Sequence, residues 1–465
     1  MAGTCSRRPA SPGRWPPWCC SPTGRRRSRW SGAMRLWSGC GSPDRPGGTA
    51  YGIPPTVRDP GRWRPSRAFR APAADGAMRP SGPRRGVAAG CGRGVGMSGA
   101  EALRRPPRDT RLDLLRGWLQ LQIFASHAHG SFIGAWLISA AWGLSDSSEQ
   151  FVYLSGFVLG SVYTLKARKG GWGAGLRDLL PRIRRLWATH MVVVCSMAAM
   201  VIAVEMTLHL PGEARRLGWG WLLDAPWFAL PGAATMLWQP TEMGILPVFV
   251  WSMLLLPGFL WLADRIGAWA LAPSLALYLA VHLWGWELPG LGGLVVEFNP
   301  LAWQVLFILG AWFGRRALLH GQAARHDRWL LAGALLVLAA GAVAKLGAHL
   351  AWWSLGDWDD KQHLAPLRIL HALSLAYAVV AIWRVREMAL RGVLARGLAA
   401  AGQKSLYVFC VGLFLSYGIE VLFVLQGWRL WIEGLVVLGA FLLLIYASAG
   451  EWTEALTRRL KNSQK

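Results

Sequence analysis

Long runs of apolar residues, separated by short polar or basic segments, fill the chain from residue 110 to residue 450. A helix needs about 20 apolar residues to cross the hydrocarbon core of a bilayer, because it rises only about 1.5 Å per residue. Ten runs meet this requirement, at residues 111–129, 149–165, 186–209, 243–263, 267–286, 301–319, 329–350, 365–383, 404–425 and 430–449. The pattern therefore predicts an all-α, polytopic integral membrane protein. The apolar stretch 132–144 is too short for another span, and we interpret it as a re-entrant or interfacial segment, or as the top of the first hairpin.

The distribution of lysine and arginine predicts how these spans are oriented. Basic residues close to the ends of membrane spans are more frequent on the cytoplasmic side. The segments 166–185 and 384–403 are rich in Lys and Arg, whereas the loop around Gly356 carries three aspartates. With ten spans, the basic segments lie on the cytoplasmic side only if both termini also lie there. The sequence therefore predicts an N-in/C-in topology.

Composition separates the first hundred residues from the remainder. The whole chain is 53% hydrophobic with 29 Trp and only 16% charged residues, which is typical of a polytopic membrane protein. Residues 1–96 instead hold 18 arginines, no lysine and much Pro, Gly and Ser. Such a segment buries too little apolar surface to offset the entropy cost of ordering, so we expect residues 1–107 to be a disordered basic segment. Met97 is the expected initiator. The membrane domain is expected at residues 108–450, followed by a short cytoplasmic tail at 451–465.

Two ionisable residues, Arg116 and His127, lie on the first predicted span. They are 11 residues apart, which in an α-helix is about three turns plus 20°, or about 16 Å along the axis. Their side chains therefore share one face of the helix. Ionisable groups inside a span are costly to bury and are functional candidates by default. Two structural alternatives stay open: Arg116 can snorkel to the interface, and His127 can be a hydrogen-bonded packing residue. For the neighbouring His129 we favour the structural interpretation.

Six segments, together with the Arg116/His127 pair, carry a family resemblance. They are RLDLLRG (111–117), SDSSEQFVYLSGFVLG (145–160), PRIRRLWATH (181–190), ILPVFV (245–250), FNPLAWQVLFILGAWFG (298–314) and GQKSLYVFCVG (402–412). In this order they resemble the OpgC family, membrane O-acyltransferases that modify osmoregulated periplasmic glucans, and more widely the acyltransferase family 3 fold. An acidic residue often precedes the histidine in that family, whereas this chain has Ser126.

The resemblance implies an O-acyltransferase of the bacterial inner membrane. It would move an acyl group, succinyl in OpgC relatives, from cytoplasmic acyl-CoA to a hydroxyl of a periplasmic glucan or related glycan. His127 would take the proton from the acceptor hydroxyl as it attacks the thioester. Glu149 would orient or charge His127, and Ser155 would donate to the developing oxyanion.

Polar residues at the two ends of the spans indicate where the substrates bind. Guanidinium groups pair bidentately with phosphates, and we assign donor binding to three arginines near inner ends, Arg116, Arg182 and Arg185. The cytoplasmic preference of basic residues explains Arg182 and Arg185 equally well. We assign acceptor binding to three residues near outer ends, Glu242, Asn299 and Gln304.

Other functions stay open on the sequence alone. An O-acetyltransferase acting on lipid or polysaccharide is the nearest alternative. A proton-coupled secondary transporter also places ionisable groups within spans, although the chain shows no inverted hydropathy repeat. Four tryptophans in the long loop 210–240 can form an interfacial belt or stack on sugar rings; they are Trp219, Trp221, Trp227 and Trp238.

The expected partners follow from the enzyme interpretation. Acyl-CoA is the cosubstrate, the acceptor is a periplasmic glycan, and the lipid bilayer is the solvent; no nucleic acid partner is expected, and a homo-oligomer stays open. We expect no permanently bound cofactor and no metal. Only Cys195 and Cys410 lie beyond residue 96, and their spacing is not that of zinc ligands.

Reporter fusions test the predicted orientation. We expect a fusion at Gly356 to be periplasmic and a fusion at Arg391 to be cytoplasmic, because one span separates them and Arg391 lies in a basic segment. Alkaline phosphatase and green fluorescent protein activities at both sites provide the measurement. Location of both reporters on the same side of the membrane would contradict the topology.

Overall fold

The computed structural model describes residues 109–290, 296–383 and 392–463. The expectations for the segment 1–107 and for Met97 therefore concern residues outside the described part of the chain.

All the regular elements longer than a single bridge in the described residues are helical, which confirms the all-α expectation. The α-helices are α1 (Thr110–His127), α2 (Phe132–Trp136), α3 (Ser147–Gly170), α4 (Trp172–Thr207), α5 (Glu213–Arg216), α6 (Gly220–Asp224), α7 (Pro226–Thr235), α8 (Ile245–Ile266), α9 (Ala272–Trp284), α10 (Pro300–His320), α11 (Arg328–His349), α12 (Pro366–Trp383), α13 (Val393–Gln403), α14 (Ser405–Gln426) and α15 (Leu430–Ser463).

Each of the ten predicted spans overlaps one α-helix of ten residues or more. Within residues 109–290, 296–383 and 392–463, five helical segments are long and apolar enough to cross a membrane, namely Trp172–Thr207, Ile245–Trp284, Arg328–His349, Ser405–Gln426 and Leu430–Ala449. The second of these contains two of the predicted spans, joined by the 3-10 turn Gly267–Leu271. The chain is thus a membrane protein by its helices, while the number of ten spans and the N-in/C-in orientation stay predictions. Helix α15 continues without a break to Ser463, through most of the predicted tail.

Local sequence signals start the helices that carry the predicted site. Asp109 caps α1 by accepting a hydrogen bond from the Arg111 backbone N–H. Asp146 and Glu149 form a capping box at the start of α3. The Asp146 side chain accepts a hydrogen bond from the backbone N–H of Glu149, and the Glu149 side chain accepts one from the backbone N–H of Asp146. Asn299 caps α10, with Pro300 at the first helical position, where no N–H is needed. These caps satisfy backbone N–H groups that have no partner within their own helix.

The stretch 132–144 forms α2 and a 3-10 turn that connect α1 to α3. The Gln122 side chain on α1 accepts hydrogen bonds from the backbone N–H and the hydroxyl of Ser139, at 2.9 and 2.6 Å. On the other side, the Glu433 carboxylate accepts from Ser131 Oγ at 2.8 Å. The connection is therefore held to α1 and α15 by buried polar groups.

Helices α3 and α10 make the most extensive helix–helix contact in the described part of the chain. Gly156 and Gly160 on α3 face α10, and Gly310 and Gly314 on α10 face α3. A Cβ at Gly156 would lie 2.0 Å from the Phe307 carbonyl oxygen, and one at Gly314 would lie 1.9 Å from the Phe157 carbonyl oxygen. Both helices thus use a small-xxx-small spacing that lets two backbones touch, as is common in membrane bundles.

A second glycine contact positions α1. A Cβ at Gly117 would lie 1.8 Å from the Leu398 carbonyl oxygen, and one at Gly402 would lie 1.7 Å from the Asp113 carbonyl oxygen. Helix α13 therefore lies directly against the first half of α1. This contact sets the position of the helix that carries Arg116 and His127.

The loop 210–240 folds into the short helices α5, α6 and α7 and is partly buried. Trp219 and Trp238 are only 1% and 4% exposed, and their rings meet edge to face with centroids 6.2 Å apart. They belong to a hydrophobic core that also includes residues of α4 and α14. The interpretation as a lipid belt or a sugar platform is therefore wrong for these two residues, because a Trp in a protein core faces neither lipid nor ligand. Trp227 is exposed.

The glycine contact predicts a stability difference between two identical substitutions. Gly314→Ala is expected to destabilise the protein by about 1–3 kcal/mol, because the added methyl group overpacks a backbone contact. Gly258→Ala in α8 is the matched control, since a Cβ there meets nothing within 4 Å. It should be neutral or slightly stabilising, because alanine favours the helix. Thermal unfolding of both variants in detergent measures the difference, and equal melting temperatures would contradict the packing argument.

Candidate functional site

One face of α1 carries three polar residues in the order Arg116, Gln120 and His127. Because α1 is continuous from Thr110 to His127, these residues fall on the same side of the helix. Arg116 and His127 are half-buried, and Gln120 is only 1% exposed. Gln120 was not among the residues predicted from sequence, although its position one turn after Arg116 was a usable signal.

The His127 ring is held by the backbone of its own helix. Its Nδ1 lies 2.6 Å from the Ile123 carbonyl oxygen, which also accepts a hydrogen bond from Ser126 Oγ at 2.8 Å. A carbonyl oxygen can only accept, so Nδ1 carries a proton, and in the neutral imidazole Nε2 is then the nitrogen with the lone pair. This geometry makes Nε2 the atom of His127 that can accept a proton.

His127 and Gln120 line a small cavity between α1 and α14. Its volume is about 10 Å³, and Ser416 and Gly412 lie on the α14 side. Neither amide atom of Gln120 has a hydrogen-bond partner within the described part of the chain. A buried amide without partners is rare in folded proteins, so this position suits a ligand or water that offers both a donor and an acceptor. A cavity of this size holds about one water molecule.

A cluster of charged residues lies just beyond the end of α1, and we call it the His129 cluster: His129, Glu242, Glu420 and Arg216. His129 Nδ1 lies 3.2 Å from Glu242 Oε1 and 3.4 Å from Glu420 Oε2. Arg216 binds the other oxygen of Glu420 at 2.8 Å. Glu242 has φ = +73°, a left-handed conformation that is unusual for a residue other than glycine. The structural interpretation of His129 missed these partners, because they come from distant parts of the chain.

The His129 cluster has some of the geometry of a metal site. The ligand atoms of His129, Glu242 and Glu420 all lie within 4.8 Å of one another. However, Arg216 already supplies a positive charge to Glu420, and His129 faces both carboxylates. Arg216 is also shared with Glu213, to which it donates two hydrogen bonds of 2.8 Å, so the carboxylates around this cluster outnumber its arginine.

Glu149 takes part in a different, buried network. Its Oε1 accepts from Arg368 Nε at 2.6 Å, and its Oε2 accepts from the Asp146 backbone N–H at 2.9 Å. Arg368 also binds Asp359 at 2.9 Å. Burial alone would raise the pKa of Asp146, but the Lys361 ammonium, 2.7 Å away, holds that pKa well below its usual range. This network ties the start of α3 to the start of α12.

No hydrogen bond in the described part of the chain joins Glu149 or Ser155 to His127. Glu149 is fully buried, and its contacts provide a structural role that the sequence had not indicated. Ser155 is buried on α3, beside the glycine contact with α10. The catalytic roles of both residues stay predictions.

Asn299 and Gln304 are buried and hydrogen-bonded within the protein. Asn299 Nδ2 donates to the Trp286 carbonyl at 2.8 Å, and its Oδ1 caps α10. Gln304 accepts from Ser274 Oγ at 2.6 Å and donates to the Ser274 carbonyl at 2.9 Å. Both residues join α10 to the region of α9. Of the predicted acceptor-binding residues, only Glu242 lies in the His129 cluster.

The predicted donor-binding arginines lie on two helices. Arg182 and Arg185 are exposed on α4, and Arg182 pairs with Asp178 at 3.2 Å, one turn earlier. Arg116 is on α1. Their role in donor binding stays a prediction. The exposure of Arg182 and Arg185 fits phosphate binding, and it equally fits the general preference of basic residues for the cytoplasmic side of the membrane.

Comparison with known proteins gives one match. A family model described as "OpgC protein" matches residues 108–455, about three quarters of the chain. No curated protein and no solved structure matches. The matched range contains the polar face of α1, the His129 cluster and the Arg368 network.

The buried Arg368 network predicts a large loss of stability when one partner is removed. Arg368→Gln should destabilise the protein by about 3–5 kcal/mol, because it leaves the buried Glu149 carboxylate without its cation. Arg215→Gln is the matched control, since the Arg215–Asp224 pair is exposed and exposed pairs contribute little. Thermal unfolding in detergent compares the two, and a melting temperature of Arg368→Gln equal to that of the control would show that the network is not needed for stability.

Proposed function

The chain belongs to the OpgC family, and we propose that it is a membrane O-acyltransferase that modifies a glucan. In the full proposal it takes an acyl group, succinyl by analogy with OpgC relatives, from cytoplasmic acyl-CoA. It transfers this group to a hydroxyl of a periplasmic glucan or related glycan, across the bacterial inner membrane. The observation that carries the proposal is the geometry of His127, whose Nδ1 is bound to a backbone carbonyl while the ring lines a cavity on the polar face of α1.

The proposed reaction is a direct acyl transfer. The acceptor oxygen attacks the thioester carbonyl, and His127 Nε2 takes the hydroxyl proton. A C–O bond forms, the C–S bond breaks, and the imidazolium returns the proton to the departing CoA thiolate. The fixed Nδ1–H···O=C hydrogen bond keeps the ring in the tautomer that this step needs.

The polar face of α1 supports a route for the donor. Arg116 lies about 16 Å from His127 along the axis, a span suited to the pantetheine arm. Gln120 lies between them, and its amide offers a donor and an acceptor of the kind that pantetheine amides would satisfy. The cavity beside His127 has a volume of only about 10 Å³. The donor must therefore widen the contact between α1 and α14 when it binds.

The His129 cluster supports an acceptor site next to His127. Carboxylates accept hydrogen bonds from sugar hydroxyls, and Glu242 and Glu420 present two of them beside the end of α1. Because His129 is only two residues after His127, a hydroxyl bound by the cluster lies close to the proposed base. The unusual backbone conformation of Glu242 fits a side chain that is held in place for binding.

The proposal predicts different defects at the two ends of α1. His127→Ala should abolish acyl transfer to the glycan and leave CoA binding nearly normal. Arg116→Ala should weaken CoA binding by about 1.5–3 kcal/mol, as expected for a lost ionic hydrogen bond. Arg116→Lys should restore only part of this loss, because it keeps the charge without the planar fork. Acyl-CoA binding to the purified full chain in nanodiscs, with mass spectrometry of the glycan product, measures both effects.

His282→Ala is the matched control for His127→Ala. The Nδ1 of His282 also faces a carbonyl four residues earlier, that of Tyr278 at 3.1 Å, but the side chain is exposed on α9. This variant should transfer acyl groups normally. Full activity of His127→Ala would place the base elsewhere. Absence of acyl-CoA binding by the wild-type protein would favour the transporter alternative.

A further inference from the structure

A larger cavity lies at the other end of the helix bundle, between the end of α3, the start of α4 and the end of α8. We call it the inner pocket, because the Lys/Arg distribution predicts that these helix ends are cytoplasmic. Its volume is about 330 Å³, and its polar and aromatic wall consists of Tyr163, Thr164, Arg168, Trp172 and Asp264. Volumes of about 300–1,000 Å³ are usual for small-molecule sites.

Two hydroxyl groups in the inner pocket are buried without a partner. Tyr163 and Thr164 are only 3% and 5% exposed, and neither hydroxyl has a hydrogen-bond partner in the described part of the chain. An unsatisfied buried hydroxyl costs about 1–3 kcal/mol, and two adjacent ones that line the same cavity are unusual. The pocket therefore presents two hydrogen-bonding groups to a polar ligand.

One wall of the inner pocket is aromatic. The Tyr163 and Trp172 rings lie 5.6 Å apart at 53° to each other. Gly175 backs the Tyr163 ring, since a Cβ there would lie 2.7 Å from that ring. The Tyr163 ring is thus held by its surroundings and can offer a fixed surface to a flat ligand.

One cation and one carboxylate, Arg168 and Asp264, line the inner pocket. Asp264 is paired with Arg168 at 3.2 Å and with Arg315 on α10. Two guanidinium groups thus surround one carboxylate, and Arg168 is exposed toward the solvent side. An arginine that shares its carboxylate with another arginine keeps donors for a phosphate.

We propose that the inner pocket binds the adenine nucleotide end of the acyl-CoA donor. This inference rests on the proposed function, and it places the nucleotide on α3 and α4, beyond the residues assigned to the donor from sequence. The aromatic wall suits the adenine ring, the two hydroxyls suit its nitrogens or the ribose, and Arg168 suits the phosphates. The volume accommodates this part of CoA and leaves the pantetheine arm outside. Helix α3 packs against α1, so the pocket and the polar face of α1 lie on neighbouring helices.

Isosteric variants test the pocket on the full chain in nanodiscs. Thr164→Val and Tyr163→Phe remove the hydroxyls but keep the shapes. Each should weaken the binding of CoA, and of adenosine 3′,5′-bisphosphate alone, by about 3- to 10-fold, the effect of one lost hydrogen bond. Thr207→Val, at the exposed opposite end of α4, is the matched control and should bind both as the wild type does. Adenosine bisphosphate should also compete with CoA for the wild-type protein.

A second measurement needs no variant. A CoA analogue with a photoreactive azido group on the adenine should label wild-type peptides that contain Trp172. Labelling confined to α1 and α13 would overturn the proposal.

The outcomes separate this inference from the proposed function. If a variant that combines Tyr163→Phe with Thr164→Val, the double variant, binds CoA like the wild type while Arg116→Ala still binds it weakly, the inner pocket is not the nucleotide site, although the acyltransferase proposal stands. If the wild type binds no CoA, both proposals fall. Binding of phospholipid in the pocket would have its own signature: phospholipid copurifies with the wild type and is lost from the double variant, while CoA binding stays unchanged. In that case the pocket is a lipid headgroup site and the inference is wrong.

Discussion

The close approach of α3 and α10 is the constraint on which the rest of the structure depends. Lipid tails are as apolar as leucine, so helices in a bilayer gain little from hydrophobic burial and associate through close packing instead. Glycines on both helices bring backbone atoms into contact, and Ser161 Oγ adds a hydrogen bond to the Gly314 carbonyl at 2.6 Å. Because α3 carries the Arg368 network at its start and the inner pocket at its end, its position fixes both.

Helix α1 depends on a similar constraint. Gly117 and Gly402 let α13 lie against its first half, and α14 packs along it. The polar face of α1 is therefore enclosed by protein, which is where ionisable groups in a membrane are tolerated. Enclosure also lowers the local polarity around Gln120, which is 1% exposed, and hydrogen bonds act more strongly there than in water.

The two proposed sites divide the chemistry along the bundle. The His129 cluster gathers carboxylates at one end of α1, where hydroxyl groups of a glycan would bind. The inner pocket brings Arg168 and two aromatic rings together at the end of α3, where a nucleotide would bind in the proposal. His127, the last residue of α1, lies between these two proposed sites along the bundle. In the proposed transfer between two compartments, this arrangement would let each substrate bind from its own side of the membrane.

The sequence by itself determined the helices and the family. Hydropathy identified every one of the ten long apolar segments as a helix, because a span of about 20 apolar residues is a local property. The shared face of Arg116 and His127 followed from helical periodicity alone. The motifs that resembled OpgC proteins lie within the residues that the family model matches.

Only the tertiary structure decided which polar groups meet. His129 acquired its carboxylates from the loop before α8 and from α14, and Glu149 acquired Arg368 from α12. These contacts join residues far apart in the chain, so no local pattern reports them. Asn299 and Gln304 were assigned to acceptor binding from their positions near span ends, a role that stays a prediction. Their hydrogen bonds to Trp286 and Ser274 were not foreseeable from the sequence. The inner pocket was invisible for the same reason, since three helix ends form it and a cavity exists only once they are packed together.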